Sequence, residues 1–273
     1  MKRHFTSYIS QQFGRFASHA FSPMVQRFIN SAYVGIMGLD MSEFSPPSSY
    51  KSLNALFTRK LLEPRSFSHD GGDFISPCDS LITEFGDLDG TRALQIKGMS
   101  YCAGALLGDE FDDSAKKSVE QGQFINFYLS PKDYHRYHIP TDLQVLKAVH
   151  IPGKLYPVNM PSLKRRIDLF IENERVVLEC LTKAKKRFFM VLVGALNVGK
   201  MQVSFEPRIK TNADALSVSS YVYEDLHLSK GDDFGCFEMG STIVIISEPG
   251  MFDLNLERGQ KVSFAQTIAR IKQ

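Results

Sequence analysis

Apolar residues in the first 38 positions recur at helical spacing. Phe5, Ile9, Phe13 and Phe16 fall four, four and three residues apart and so share one helix face. Ser22-Pro23 then reads as an N-cap followed by proline in the first turn. The second helix it opens carries Met24, Val25, Phe28, Ile29, Ala32, Tyr33, Ile36 and Met37 on one face. A short helix is expected over Ser52 to Thr58, with Leu53, Leu56 and Phe57 inward. Beyond Pro64 the period shortens, and glycines such as Gly86, Gly90 and Gly98 punctuate strand-like runs. Strands are predicted at Phe74-Ile75, Leu81 to Phe85, Gln123 to Leu129, Leu143 to Ile151, Val176 to Leu181 and Phe188 to Val193, and at 201–206, 217–223 and 242–247. Lys183 to Arg187 is the basic turn of one hairpin. Residues 101–107 are expected to form a brief helix, and Asp112 to Glu120 a polar surface loop. The fold class is α+β: amphipathic helices over residues 1–48, then a mostly antiparallel, barrel- or sandwich-like β-rich domain over 49–273.

Composition narrows this little. The chain of 273 residues is long enough to bury a sizeable core. A net charge of +2, with no long basic tract, gives no argument for nucleic acid as a partner. The four cysteines (Cys78, Cys102, Cys180 and Cys236) include no Cys-x-x-Cys pair, so neither a zinc site nor a disulfide framework is expected, and a reducing cytosolic setting is the default. Nothing approaches 18 consecutive apolar residues, which leaves a protein in solution or one lying on a membrane. For the terminal helices, packing on the protein's own core competes with lying in a bilayer interface.

Three stretches could carry chemistry. Gly240-Ser241-Thr242 runs from a polar, glycine-rich segment into a β-branched strand. A serine hydroxyl there could attack the carbonyl of its own Gly-Ser peptide if a base took its proton; a plain bend into a core strand is the competing reading. Within Tyr128 to Pro140, His135 and His138 stand three apart in an aromatic-rich segment. They read as a general base, a metal pair or structural side chains, and no further metal ligands are recognisable by spacing. Asp79, in Ser76-Pro77-Cys78-Asp79-Ser80, is a turn-former or the acid of an Asp-His-Ser triad.

Taken together, these stretches resemble the phosphatidylserine decarboxylases, which are pyruvoyl-dependent. The resemblance runs in order from about residue 50 to 265. It rests on Phe57-Thr58-Arg59 with Pro64, on Ser76-Pro77-Cys78-Asp79, and on Lys97-Gly98 with Tyr101, Leu106, Leu107 and Gly108. It continues through Tyr128-Leu129-Ser130-Pro131-Lys132-Asp133-Tyr134-His135-Arg136 with His138 and Pro140, then Pro152 to Asn159 and Val193-Gly194-Ala195 with Val198-Gly199. It ends at Lys230-Gly231-Asp232 and Gly240-Ser241-Thr242.

The resemblance implies that Asp79 orients His138 and that His138 deprotonates Ser241. Ser241 would then attack the Gly240 carbonyl, and elimination would split the chain into residues 1–240 and 241–273. Ser241 would become an N-terminal pyruvoyl group, the covalent cofactor, which condenses with the amine of phosphatidylserine. It acts as electron sink while carbon dioxide leaves and phosphatidylethanolamine forms. His135 would assist decarboxylation or reprotonation. The resemblance further implies a peripheral protein on the cytoplasmic face of the cell membrane, a possible homodimer, and no metal.

Three positions depart from the family pattern: Ser80 in place of glycine, Met99 in place of histidine, and Met239 in place of leucine. Two rival readings remain, an Asp-His-Ser hydrolase and an unprocessed membrane-binding module. The Gly-x-Ser-x-Gly elbow of the α/β-hydrolases is missing around Ser241.

Overall fold

The computed structural model describes residues 5–96, 99–158, 160–163, 165–196, 200–212, 217–238 and 241–272. Helix α1 spans Phe5–Ser18 and helix α2 Pro23–Met37. Helix α2 ends where Gly38 takes a left-handed conformation, φ 64°, and returns its N–H to the Val34 carbonyl. Helix α3, Leu53–Phe57, is capped by the Ser52 hydroxyl, which accepts from the Ala55 N–H, and it buries Leu53, Leu56 and Phe57 as its spacing predicts.

An eight-stranded sheet forms the centre. Its spatial order is Ser219–Leu228, Leu143–Ile151, Arg175–Thr182, Arg187–Val193, Ser241–Ser247, Gln123–Leu129, Ser80–Asp87 and Lys261–Val262. Every neighbouring pair in it is antiparallel. The sheet is open at both ends, so the barrel half of the expectation is corrected: among the described residues its outermost strands, Ser219–Leu228 and Lys261–Val262, do not pair with each other. Two three-stranded sheets accompany it. One joins Asp73–Ile75, Thr267–Ile271 and Phe252–Leu254; the other joins Met201–Val203, Asp233–Phe237 and Arg136–His138.

Successive side chains on a strand face opposite ways, and both faces of the central sheet are covered. Phe188 meets Phe74 on one side, while its neighbour Phe189 meets Phe111 on the other. A strand covered on both faces has no reason to alternate. That is why Ser241–Ser247 is buried at every position.

Two expectations shift locally. Asp112 to Glu120 is not a plain loop: residues Asp113–Lys117 form a helical turn that buries Ala115, and Val119 follows it into the core. The strand expected at 217–223 runs on to Leu228, because its ladder with Leu143–Ile151 shifts register between Val222 and Leu226 and then resumes.

Helix α2 turns only part of its apolar residues inward: Ile29, Tyr33 and Val34 are half-buried against the cluster of Ala17, Leu53 and Leu56. Its buried residues are Gln26 and Asn30, whereas Met24, Phe28 and Ile36 are 84%, 75% and 82% exposed. The inward face is satisfied by hydrogen bonds. Gln26 Nε2 donates to Asn30 Oδ1 at 2.8 Å, and Asn30 Nδ2 donates to the carbonyls of Pro47 and Tyr50, each at 2.9 Å. No helix among the described residues is long and apolar enough to cross a membrane.

Candidate active site

Ser241 begins the buried strand that lies between Gln123–Leu129 and Arg187–Val193, and it stands opposite Leu129. Its Oγ is shielded from solvent and has no hydrogen-bond partner among the described residues; the same holds for Thr242 Oγ1. Gly240, the other half of the expected cleavage site, and Met239 lie outside the described residues.

Where the partner strand ends at Leu129, the loop 130–135 begins. Asp133 Oδ2 accepts from both the N–H and the hydroxyl of Ser130 at 2.7 Å, closing the turn. Burial pushes the Asp133 carboxyl above its usual range. The turn aims the Asp133 carbonyl at His135 Nδ1, which donates to it at 2.8 Å. That bond fixes the tautomer and leaves Nε2 as a bare acceptor, buried and without a partner among the described residues. Burial first, then the nearby charge of Arg59, pushes His135 down to about 3, so the ring is neutral. Phe57 packs on it, ring centroids 4.1 Å apart. The Phe237 N–H donates to the His135 carbonyl at 2.9 Å, so His135 lies beside the segment leading to Ser241.

His138 sits in the strand Arg136–His138, its backbone N–H donating to the Pro77 carbonyl at 2.8 Å. Its ring is stacked on Phe264 with 3.5 Å between centroids. Nδ1 donates to the Gly231 carbonyl at 2.9 Å, and Nε2 accepts from the Tyr134 hydroxyl at 3.1 Å. Gly231 holds φ at 88°, a conformation glycine adopts without strain, and it thereby gives the Lys-Gly-Asp motif a physical role. Burial lowers the basicity of His138.

Asp79 reaches the same place from the other side of Phe264. Its Oδ1 accepts from the Phe264 N–H at 2.7 Å and from Arg65 Nη1 at 2.5 Å, and its Oδ2 from Arg65 Nη2 at 3.0 Å. Arg65 extends its other edge to Glu43, Nε to Oε1 at 2.9 Å and Nη2 to Oε2 at 2.7 Å. No direct hydrogen bond joins Asp79 to His138 among the described residues. The planar fork of Arg65 satisfies the carboxylate, and the Gly231 carbonyl takes the imidazole N–H. Asp79 still acts on His138 through its charge, which favours the protonated ring. Ser80, the departure from glycine, opens the strand Ser80–Asp87 and is not among the residues with positive φ, so a side chain is accommodated without strain.

The structure thus gathers Asp79, His138 and Phe264 into one cluster, and His135 beside the approach to Ser241. Among the described residues no hydrogen bond joins Ser241 Oγ to either histidine. A family model described as phosphatidylserine decarboxylase matches residues 53–270, which takes in all four of these polar residues. The chain belongs to the phosphatidylserine decarboxylase family.

Relatives described as phosphatidylserine decarboxylase proenzymes cover nearly the whole chain. A Helicobacter pylori protein is 46% identical over 262 residues, 95% of each chain. A Campylobacter jejuni protein is 44% identical over 270 residues, covering 97% of this chain and 99% of its own. One from Nitrosospira multiformis is 35% identical over 247 residues, 87% and 83% of the two chains. Within this decarboxylase frame, sequence reading overlooked Arg65, Tyr134 and Phe264 as partners of Asp79 and His138. Tyr134 stood inside a quoted motif. Arg65 and Phe264 reach the site only through the fold, Phe264 from 185 residues beyond Asp79.

Proposed function

We propose that this chain is the proenzyme of a phosphatidylserine decarboxylase that cuts itself between Gly240 and Ser241. The observation that carries the reading is Ser241 itself: a dry, unpartnered hydroxyl at the head of a fully buried strand, within the family match. Ser241 Oγ would give its proton to His138 and attack the Gly240 carbonyl, replacing the peptide by an ester. Elimination would then release the Gly240 carboxylate and leave a dehydroalanine amine at 241, whose imine form water would hydrolyse to the pyruvoyl ketone with loss of ammonia. Tyr134 must leave His138 Nε2 for that transfer, since it holds that atom in the structure. Residues 241–273 would stay bound to 1–240, because the strand Ser241–Ser247 is paired on both edges.

The buried, apolar setting of Ser241 fits the pyruvoyl group it would become, and that group supplies the electron sink for loss of carbon dioxide. His135 would then take up a proton transiently at its bare Nε2 and return it to the substrate carbon, its resting ring kept neutral by burial. The substrate is a lipid, and α2 offers the means to meet it. Met24, Val25, Phe28 and Ile36 form a bare apolar face suited to the interface of a membrane, which we place on its cytoplasmic side. On this reading residues 1–48 form the membrane-associating unit and 49–273 the decarboxylase domain.

The decisive experiment is the intact mass of the denatured protein beside Ser241→Ala. Cleavage after Gly240 in the wild type, a shorter piece bearing an N-terminal pyruvoyl group, and a single chain in the variant support the proposal. A whole, unmodified chain in both would sink it.

A further inference from the structure

Among the described residues, Arg59 is a buried cation that the site chemistry leaves unused. It is only 2% exposed, yet its Nε and Nη1 have no hydrogen-bond partner among the described residues. Only Nη2 is engaged, donating to the carbonyls of Lys132 at 3.2 Å and Asp133 at 3.5 Å. One face of the guanidinium lies over the Phe44 ring, 4.4 Å from its centroid. The three carboxylates whose charge couples to it have other donors: Asp79 is held by Arg65 and Phe264, Asp133 by Ser130, and the exposed Asp40 by the Ser42 N–H. A guanidinium stays protonated in proteins. Buried and without a counter-ion it is strongly destabilising, so the site is built for an anion that arrives.

A second orphan lies beside it. Arg59 Nη2 and His135 Nδ1 both donate to the carbonyl of Asp133, so the guanidinium and the imidazole share one carbonyl, and the Arg59 charge is felt at the ring whose Nε2 is bare. An unpaired cation next to an unpaired acceptor complements a small headgroup carrying an anion and an N–H a short distance apart.

We propose that Arg59 binds the phosphodiester of the lipid substrate and so sets specificity for a phosphorylated headgroup. The assignment rests on the decarboxylase reading and deepens it. The substrate carboxylate would also pair with a guanidinium, but its charge vanishes as carbon dioxide leaves. A cation holding it would stabilise the ground state more than the transition state and slow the reaction. The phosphodiester keeps its charge from substrate to product, and phosphate is a group for which arginine is well suited. The cover over Arg59 comes from the N-terminal segment. Phe44 roofs the guanidinium, and the Tyr33 hydroxyl of α2 donates to the Pro131 carbonyl at 3.3 Å, next to the carbonyls that Arg59 holds. Entry of a headgroup requires this segment to yield, and the same segment bears the bare apolar face.

The test uses the purified, self-cleaved protein with Arg59→Gln and Arg59→Lys. In detergent micelles, KM for phosphatidylserine should rise about tenfold or more in Arg59→Gln, the order expected for losing a hydrogen bond to a charged group. Its kcat should change little, and Arg59→Lys should fall between. Calorimetric binding of glycerophosphoethanolamine should weaken by a similar factor. Wild type should prefer phosphatidylserine over its uncharged phosphate methyl ester, and Arg59→Gln should lose that preference. Unchanged KM and binding in Arg59→Gln would overturn the assignment, and so would a fall confined to kcat, which would point to the carboxylate. Should Arg59→Gln fail to fold, the wild-type comparison decides: equal handling of the charged and methylated phosphate overturns the proposal. The decarboxylase reading is judged separately, by cleavage and carbon dioxide release in the wild type.

Discussion

The strand Ser241–Ser247 and helix α2 are both apolar by sequence, and the fold treats them in opposite ways. The strand is buried at every position between two partners. The helix fully buries two amides, half-buries Ile29, Tyr33 and Val34, and leaves Met24, Phe28 and Ile36 bare. An apolar stripe states that a face must leave water, but it does not name what will cover it. For the strand the cover is the protein. For the helix we read it as the lipid surface, and the reading can be broken by treating the two regions alike.

The largest effect belongs to the strand. Ile245→Ala, at a position with no exposed surface, should lower unfolding stability by roughly 2–5 kcal/mol, the cost of a lost side chain plus a cavity. Denaturant melts of the purified protein measure it. A loss below about 1 kcal/mol would mean that the strand does not hold the C-terminal segment as the structure has it.

The dryness of the same region can be probed through His135. Its basicity is depressed from 6.5 to about 3, chiefly by burial, so the unfolded chain binds the proton more readily than the folded one. Above pH 6.5 the ring is neutral in both states and its titration costs nothing; as pH falls from there towards 3 the unfolded chain takes up the proton and stability is lost. The slope is about 1.4 kcal/mol for each pH unit in that window. His135→Gln should flatten the acid limb of the stability curve between those values. An unchanged slope would show that His135 is wet, and the contrast with the helix would weaken.

On the helix, the inward face should matter for stability through hydrogen bonds. Asn30→Ala removes the donor to the Pro47 and Tyr50 carbonyls and the acceptor for Gln26. Leaving buried groups unpaired should cost about 1–3 kcal/mol, read as a lower melting temperature with vesicle binding retained. A neutral outcome would mean that α2 is not docked through its polar face.

These regions also mark how far the sequence was legible. The apolar runs at 123–129, 143–151 and 188–193, built from aromatic, leucine and β-branched residues, announced their strands even though Asn126, Gln144 and Lys147 interrupt two of them. Arg136–His138 and Asp233–Phe237 were not anticipated, being short and tied by a surface ion pair between Arg136 and Asp233. At the candidate site, the polar residues came from motif resemblance and from the serine-to-strand junction. Their partners did not, since Glu43–Arg65–Asp79 and Phe264–His138 are contacts between distant parts of the chain. The outward turn of α2 was hidden for a related reason: Gln26 and Asn30 look like surface residues until Pro47 and Tyr50 are folded against them.

The smallest expected change in stability, and the sharpest on function, lies on the bare face of α2. Phe28→Ser combined with Ile36→Ser removes two side chains that are 75% and 82% exposed. Surface substitutions of this kind should leave stability within about 0.5 kcal/mol. If the face instead enters a bilayer interface, each side chain withdrawn forfeits up to roughly 1.5–3 kcal/mol of burial. Co-sedimentation with phosphatidylserine-containing vesicles should then fall by at least about tenfold, the value of 1.4 kcal/mol. Self-cleavage should proceed unchanged, since neither residue touches the site. Vesicle binding equal to wild type would refute the membrane assignment. A stability loss above about 1 kcal/mol that varies with protein concentration would show that a second copy of the chain covers this face, and the helix would then obey the same rule as the strand.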